Sequence, residues 1–105
     1  MKLNVLERLM ATQLLPEKGD FLTLNIIDDA RRLLVLTEAE QKEIEIKQTP
    51  NGGLGWNEKG KEDKELALGS AAKEIIKNKL LALDEKKELT NDHISLYKKL
   101  VNKEA

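Results

Sequence analysis

Ser70, Ala71, Ala72 and Lys73 carry the Ser-x-x-Lys spacing, in which a lysine amine can take the proton of a serine hydroxyl and leave a nucleophile for acyl transfer. No Ser-Asp-Asn or Lys-Thr-Gly element accompanies it in 105 residues, and a helix cap followed by an exposed lysine accounts for the same four positions. Gly52, Gly53, Leu54 and Gly55 could cradle a phosphate only if their amides opened a helix and a lysine with Ser or Thr followed at the right offset. Trp56 and a charged stretch follow instead, which is the pattern of a hairpin turn. His93, the single histidine, stands beside Asp92, an arrangement that suits a general base, but its surroundings designate neither a nucleophile nor an oxyanion site. Glu38, Glu40, Glu43 and Glu45 are close enough in sequence to suggest a hard cation. Calcium loops, however, interleave oxygen ligands with a glycine turn, and these four fall in a capped helix and the strand after it, as a solvated face does. No catalytic residue, metal ligand or cofactor site is therefore expected, and the chain reads as a non-enzyme.

Cysteine is absent, which removes disulfides, thiolate chemistry and thiolate metal sites together. Two sets of residues remain as candidates for binding. Trp56 lies beside the glycine-rich turn, where its ring either plugs an apolar face or serves as a partner contact. Only Phe21 and Tyr97 are aromatic besides it, so few large side chains compete to fill a core. The second set is basic: Lys73, Lys77, Lys79, Lys86, Lys87, Lys98, Lys99 and Lys103 concentrate toward the C-terminal end, with Lys73 and Lys77 one helical turn apart on one face. Those two are the nucleic-acid contacts of an alternative reading. The net charge is only −1, and the last third of the chain has eight basic residues against six acidic ones, well short of the stripe that phosphate binding uses.

The elements that would position these residues follow from spacing. Leu3, Leu6, Leu9 or Met10, and Leu14 recur at helical intervals, with Glu7, Arg8 and Gln13 between them, and Pro16 and Gly19 end the segment in a loop over 16–20. Asp20 or Thr23 then caps a second helix whose Ile26, Ile27, Ala30, Leu33 and Leu34 make a wide apolar stripe opposite Asp28, Asp29, Arg31 and Arg32. Thr37, Glu38, Ala39 and Glu40 form a capping box for a short helix over 38–43. Ile44, Glu45, Ile46 and Lys47 alternate as a half-buried strand, and the turn 50–55 folds it back through Leu54 and Trp56. Leu66 and Leu68 are expected to close an antiparallel meander, so that Ile44, Ile46, Trp56, Leu66 and Leu68 share one buried face; a helix starting at Lys61 is the rival assignment. Ser70 caps the longest helix, which carries Ala72, Ile75, Ile76, Leu80 and Leu83 inward and runs to about Glu88. Thr90, Asn91 and Asp92 cap a last helix with Ile94, Tyr97, Leu100 and Val101, and residues 103–105 fray.

The expected fold class is α+β, a single domain over 1–105, mostly helical, with four to five helices and a small two- or three-stranded antiparallel β meander in the middle of the chain. Neither a signal-length apolar stretch nor a run of about 18 apolar residues is present, which gives a cytoplasmic protein with no membrane partner as the expectation.

The run Leu3-Asn4-Val5-Leu6-Glu7-Arg8-Leu9-Met10, then Leu14-Leu15-Pro16 and a glycine, then Thr37-Glu38-Ala39-Glu40 and a Trp-containing hairpin, resembles small uncharacterised proteins encoded by phages and prophages. The resemblance implies a small non-enzymatic protein of viral or mobile-element origin and transfers no site residues.

Wide apolar stripes on four segments exceed what one small core absorbs, so a protein–protein interaction module, a homodimer in particular, is the expected function. The alternative is a nucleic-acid-binding regulator. The second helix, a turn, the third helix and a hairpin imitate a winged helix, but the third helix would offer Glu38, Glu40, Gln41, Lys42 and Glu43 to the major groove, which disfavours duplex recognition.

Overall fold

Asn4 begins the first helix by a reciprocal exchange: its side chain accepts from the Glu7 amide at 2.9 Å, and the Glu7 carboxylate accepts from the Asn4 amide at 2.9 Å. In the computed structural model, which describes residues 1–101, this box opens α1 (Val5–Leu14), directly after a two-residue strand, β1 (Lys2–Leu3). Asp20 caps α2 (Phe21–Leu34), and the expected Thr37 box caps α3 (Glu38–Glu43). A hairpin of β2 (Lys47–Gln48) and β3 (Leu54–Gly55) follows, then a 3₁₀ turn over Glu58–Lys61 and β4 (Lys64–Glu65). The chain continues with α4 (Ser70–Glu85), a second 3₁₀ turn over Asn91–His93, and α5 (Ile94–Leu100). The fold is α+β: helices dominate, and the strands form two separate antiparallel pairs, β1 with β4 and β2 with β3. The fraying expected at 103–105 lies outside the described residues.

The single meander does not form. Ile44 is the C-terminal cap of α3 rather than a strand residue, and Glu45 follows with φ of 52°. The Ile46 amide donates back to Gln41 O at 3.1 Å and the Glu45 amide to Lys42 O at 3.2 Å, which is the pairing of a Schellman helix end. The Ile44/Ile46 alternation thus arises from a helix terminus, and pairing starts only at Lys47. At the other side, neither a helix from Lys61 nor a third hairpin strand forms. The Leu66 amide donates to Met1 O at 2.8 Å, and β4 aligns Lys64 with Leu3 and Glu65 with Lys2.

The proposed common face is divided accordingly. Leu66 and Leu68 join the main core with Leu3, Leu14, Ile27, Leu34, Ile76, Leu80, Leu96 and Leu100. Ile44, Ile46 and Trp56 belong to a second, smaller cluster built on Val5 and Leu36. Two helix limits also differ. Gly69, not Ser70, is the N-cap of α4, and no side chain caps it. That helix stops at Glu85 because Lys87, at φ of 59°, turns the chain, with Glu88 N–H donating to Leu83 O at 2.8 Å.

Candidate interaction surface

α2 forms because Asp20 accepts from the Thr23 amide at 2.8 Å and because Ile27, Ala30 and Leu34 recur at the spacing of one buried face. That hydrogen bond, with help from the Thr23 hydroxyl, lowers the Asp20 pKa and keeps the cap ionised at the positive end of the helix. The buried face uses only part of the apolar content of the segment. Phe21 is 80% exposed, Leu22 69% and Val35 59%, and Leu24 and Leu33 are also exposed. These five are the majority of the eight exposed large hydrophobic residues among those described, and all belong to α2 or the residue after it.

Beside them runs a groove of about 340 Å³, with Ile26 and Leu33 of α2 on one wall and Ala67, Leu68 and Ala71 on the other. Its walls are mainly small, so a helix or an extended segment could approach the backbone closely. Asp29 is the one charged residue of the lining. The arrangement offers apolar burial along a helix flank, with one charge, Asp29, in the lining.

The residues singled out from the sequence are scattered. Trp56 is half-buried and packs on the second cluster, over Gly60, where an added Cβ would stand 2.2 Å from Trp56 Cδ1. Its ring is therefore a plug fitted to a glycine. Lys73 and Lys77 do share a face of α4, and with Met1, Glu74, Lys99 and Leu100 they line a hollow of about 240 Å³. The Lys99 ammonium there is already engaged, donating to Glu7 Oε1 at 2.7 Å, Lys2 O at 2.9 Å and Asp63 Oδ1 at 3.2 Å. Burial disfavours the charged form of Lys99, but the Glu7 and Asp63 carboxylates outweigh it and raise its pKa. Lys103 lies outside the described residues. Ser70 and Lys73 sit in the first turn of α4, and His93 Nδ1 accepts from the Thr90 amide at 3.0 Å, so the histidine closes a local turn.

Of the acidic group, Glu40 is not on a solvated face. Its carboxylate accepts from Arg8 Nη1 at 2.7 Å, from Lys64 Nζ at 3.0 Å and from the Thr37 amide at 3.0 Å. The Arg8 hydrogen bond, against a smaller desolvation effect, holds the Glu40 carboxyl far below the usual carboxylate range. No group of three metal-ligating side chains occurs among the described residues.

Spacing missed Glu7 and Arg8, which it assigned to the spaces between apolar positions. Glu7 is 1% exposed and receives the Ser95 hydroxyl and Lys99; Arg8 is 3% exposed and donates from Nε to Leu34 O at 3.1 Å and from Nη2 to Val35 O at 2.7 Å. The Asn4-x-x-Glu7 capping pattern was the one local signal for Glu7; Arg8 has none. Both are structural: Glu7 ties α1 to α5, and Arg8 satisfies carbonyls left open at the end of α2.

No known protein family, characterised protein or solved structure matches the chain. Among the described residues no helix is long and apolar enough to cross a membrane.

Proposed function

We propose that this chain is a non-enzymatic protein-interaction module of the cytoplasm, and that its working face is the outer side of α2 with the groove beside it. The observation that supports this is that exposed Phe21, Leu22, Leu24 and Leu33 belong to one helix, with Val35 directly after it, and that Leu22 and Leu33 share the flank beside the groove. Burying one such side chain contributes roughly 1.5–3 kcal/mol against the several kcal/mol that association costs, so a contact here has to cover most of them together. A phage or prophage origin belongs to the same proposal, carried by the resemblance of the N-terminal run and the Trp-containing hairpin.

A photo-cross-linking residue placed at position 22, in cells making the protein at its normal level, tests the assignment against the same residue at the exposed position 79. A discrete adduct of any mass at 22 and none at 79 is the expected result. No adduct at 22, neither with another protein nor with the chain itself, overturns it.

One observation favours a second reading, nucleic-acid contact, namely that Lys73 and Lys77 border a common hollow. Glu74 in the same lining and the carboxylates already paired with Lys99 weaken the attraction for phosphate. Absence of binding to DNA or RNA at low salt removes this reading.

A further inference from the structure

We infer that the outer face of α2 is closed by α2 of a second copy of this chain, the two helices running antiparallel; this rests on the reading of that face as an interaction surface.

Leu22, Ile26, Asp29 and Leu33 succeed one another at intervals of four, three and four residues, the spacing of a helical seam. The interval pattern is symmetric about a point between Ile27 and Asp28. A two-fold axis at that point sets Leu22 opposite Leu33 of the second copy and Ile26 opposite Asp29, so the apolar pairs close the two ends of the seam and one carboxylate per copy stands in its middle, exposed in the single chain. The most exposed apolar residues lie at opposite ends of the element, Phe21 and Leu22 at its start and Leu33 and Val35 at its close. Only an antiparallel partner brings the two ends together, covering Leu22 with Leu33 twice over by symmetry, while Phe21, about 100° round the helix from Leu22, lies beside the seam rather than in it.

Charge selects the same direction. Glu17, Lys18 and Asp20 stand at the N-terminal end of α2 and leave it one net negative charge, and Arg31 and Arg32 are in its last turn. Arg32 pairs with Asp28 at 2.8 Å on the exposed surface, and Arg31 has no ion-pair partner among the described residues. Antiparallel packing carries the arginines of one copy toward the carboxylates of the other and opposes the helix dipoles; parallel packing would set arginine against arginine and carboxylate against carboxylate. One helix pair is a small interface, which places dissociation in the micromolar range rather than below it.

Sedimentation equilibrium of the full chain from micromolar to millimolar concentration should show the mass rising from 11.9 kDa to twice that value. Leu22→Glu should return it to the monomer mass with helix content unchanged, because Leu22 is exposed, whereas Leu81→Glu, exposed on α4, should leave the dimer intact. The chain has no cysteine, so direction is read by mixing Leu22→Cys and Leu33→Cys proteins under oxidation. A mixed 22–33 disulfide in excess of either self-disulfide is the expected product. A monomer throughout, or a dominant 22–22 disulfide, overturns the inference. A monomer together with a position-22 adduct to another protein leaves the interaction surface standing and removes only the second copy; a monomer with no adduct removes both.

Discussion

Arg8 Nη1 stands 2.7 Å from Glu40 Oε2, and this contact joins α1 to α3 across 32 positions of sequence. The same guanidinium holds the carbonyls of Leu34 and Val35, so one buried side chain binds three elements. Arg8→Ala leaves two carbonyls without their donor and removes one of the three donors to the Glu40 carboxylate. It should cost about 1–3 kcal/mol, the usual loss when buried acceptors are left unsatisfied. Urea unfolding followed by far-ultraviolet circular dichroism measures it. Arg8→Lys should recover only a minor part, because one ammonium cannot reproduce a planar fork that serves acceptors on two sides.

The pH dependence follows from the same pair. The folded-state pKa of Glu40 lies below its ordinary value of 4.5, so the folded state binds that proton less readily than the unfolded chain. Its stabilisation is complete above the unfolded value and is lost as pH falls below it toward the folded value. Denaturant midpoints taken between about pH 5 and pH 2 should fall more steeply in the parent protein than in Glu40→Gln. Equal slopes would assign the acid sensitivity to other carboxylates.

Gly60 lies under Trp56 with no room for a methyl group, the added carbon falling 2.2 Å from the ring. Gly60→Ala should therefore displace the indole from the small cluster of Val5, Leu36 and Ile44, at a cost of about 1–3 kcal/mol. Trp56 is the only tryptophan, so a red shift and altered intensity of its emission report the displacement directly. Gly55→Ala, whose new carbon meets Thr49 at an ordinary 3.5 Å, serves as the control with unchanged emission.

Lys87 holds φ of 59° at the end of α4, a conformation that strains any residue with a Cβ. Lys87→Gly should raise stability by about 0.5–1 kcal/mol, visible as a higher thermal midpoint, since the relieved strain exceeds the extra entropy glycine loses on folding. A lower midpoint would mean that the lysine side chain contributes more than its backbone costs.

Much of the local structure is legible from the residues alone, and the reason differs from element to element. Asp20 and Thr37 mark helix starts because a capping side chain acts within three residues of itself. Asn51, Gly52 and Gly53 mark the hairpin turn because a positive φ at Gly52 is needed there. The strand read into Ile44 to Lys47 fails for a physical reason as well: a Schellman end buries alternate residues over so short a span just as a strand would. The candidate surface was half legible. The stripe on α2 is visibly wider than a single core contact requires, yet spacing cannot say which flank the rest of the molecule leaves uncovered.

By itself the sequence determined the helices, the caps at Asp20 and Thr37, the hairpin turn and the surplus of apolar residues on α2, all of which depend on interactions among residues a few positions apart. Only the tertiary structure decided that β4 pairs with the start of the chain, that Leu66 and Leu68 leave the hairpin for the main core, and that Glu7 and Arg8 are buried. Those outcomes depend on partners 26 to 92 positions away, such as Leu34 for Arg8 and Lys99 for Glu7. The burial of a charge is decided by whether such partners meet it in space, and no periodicity along one segment records that.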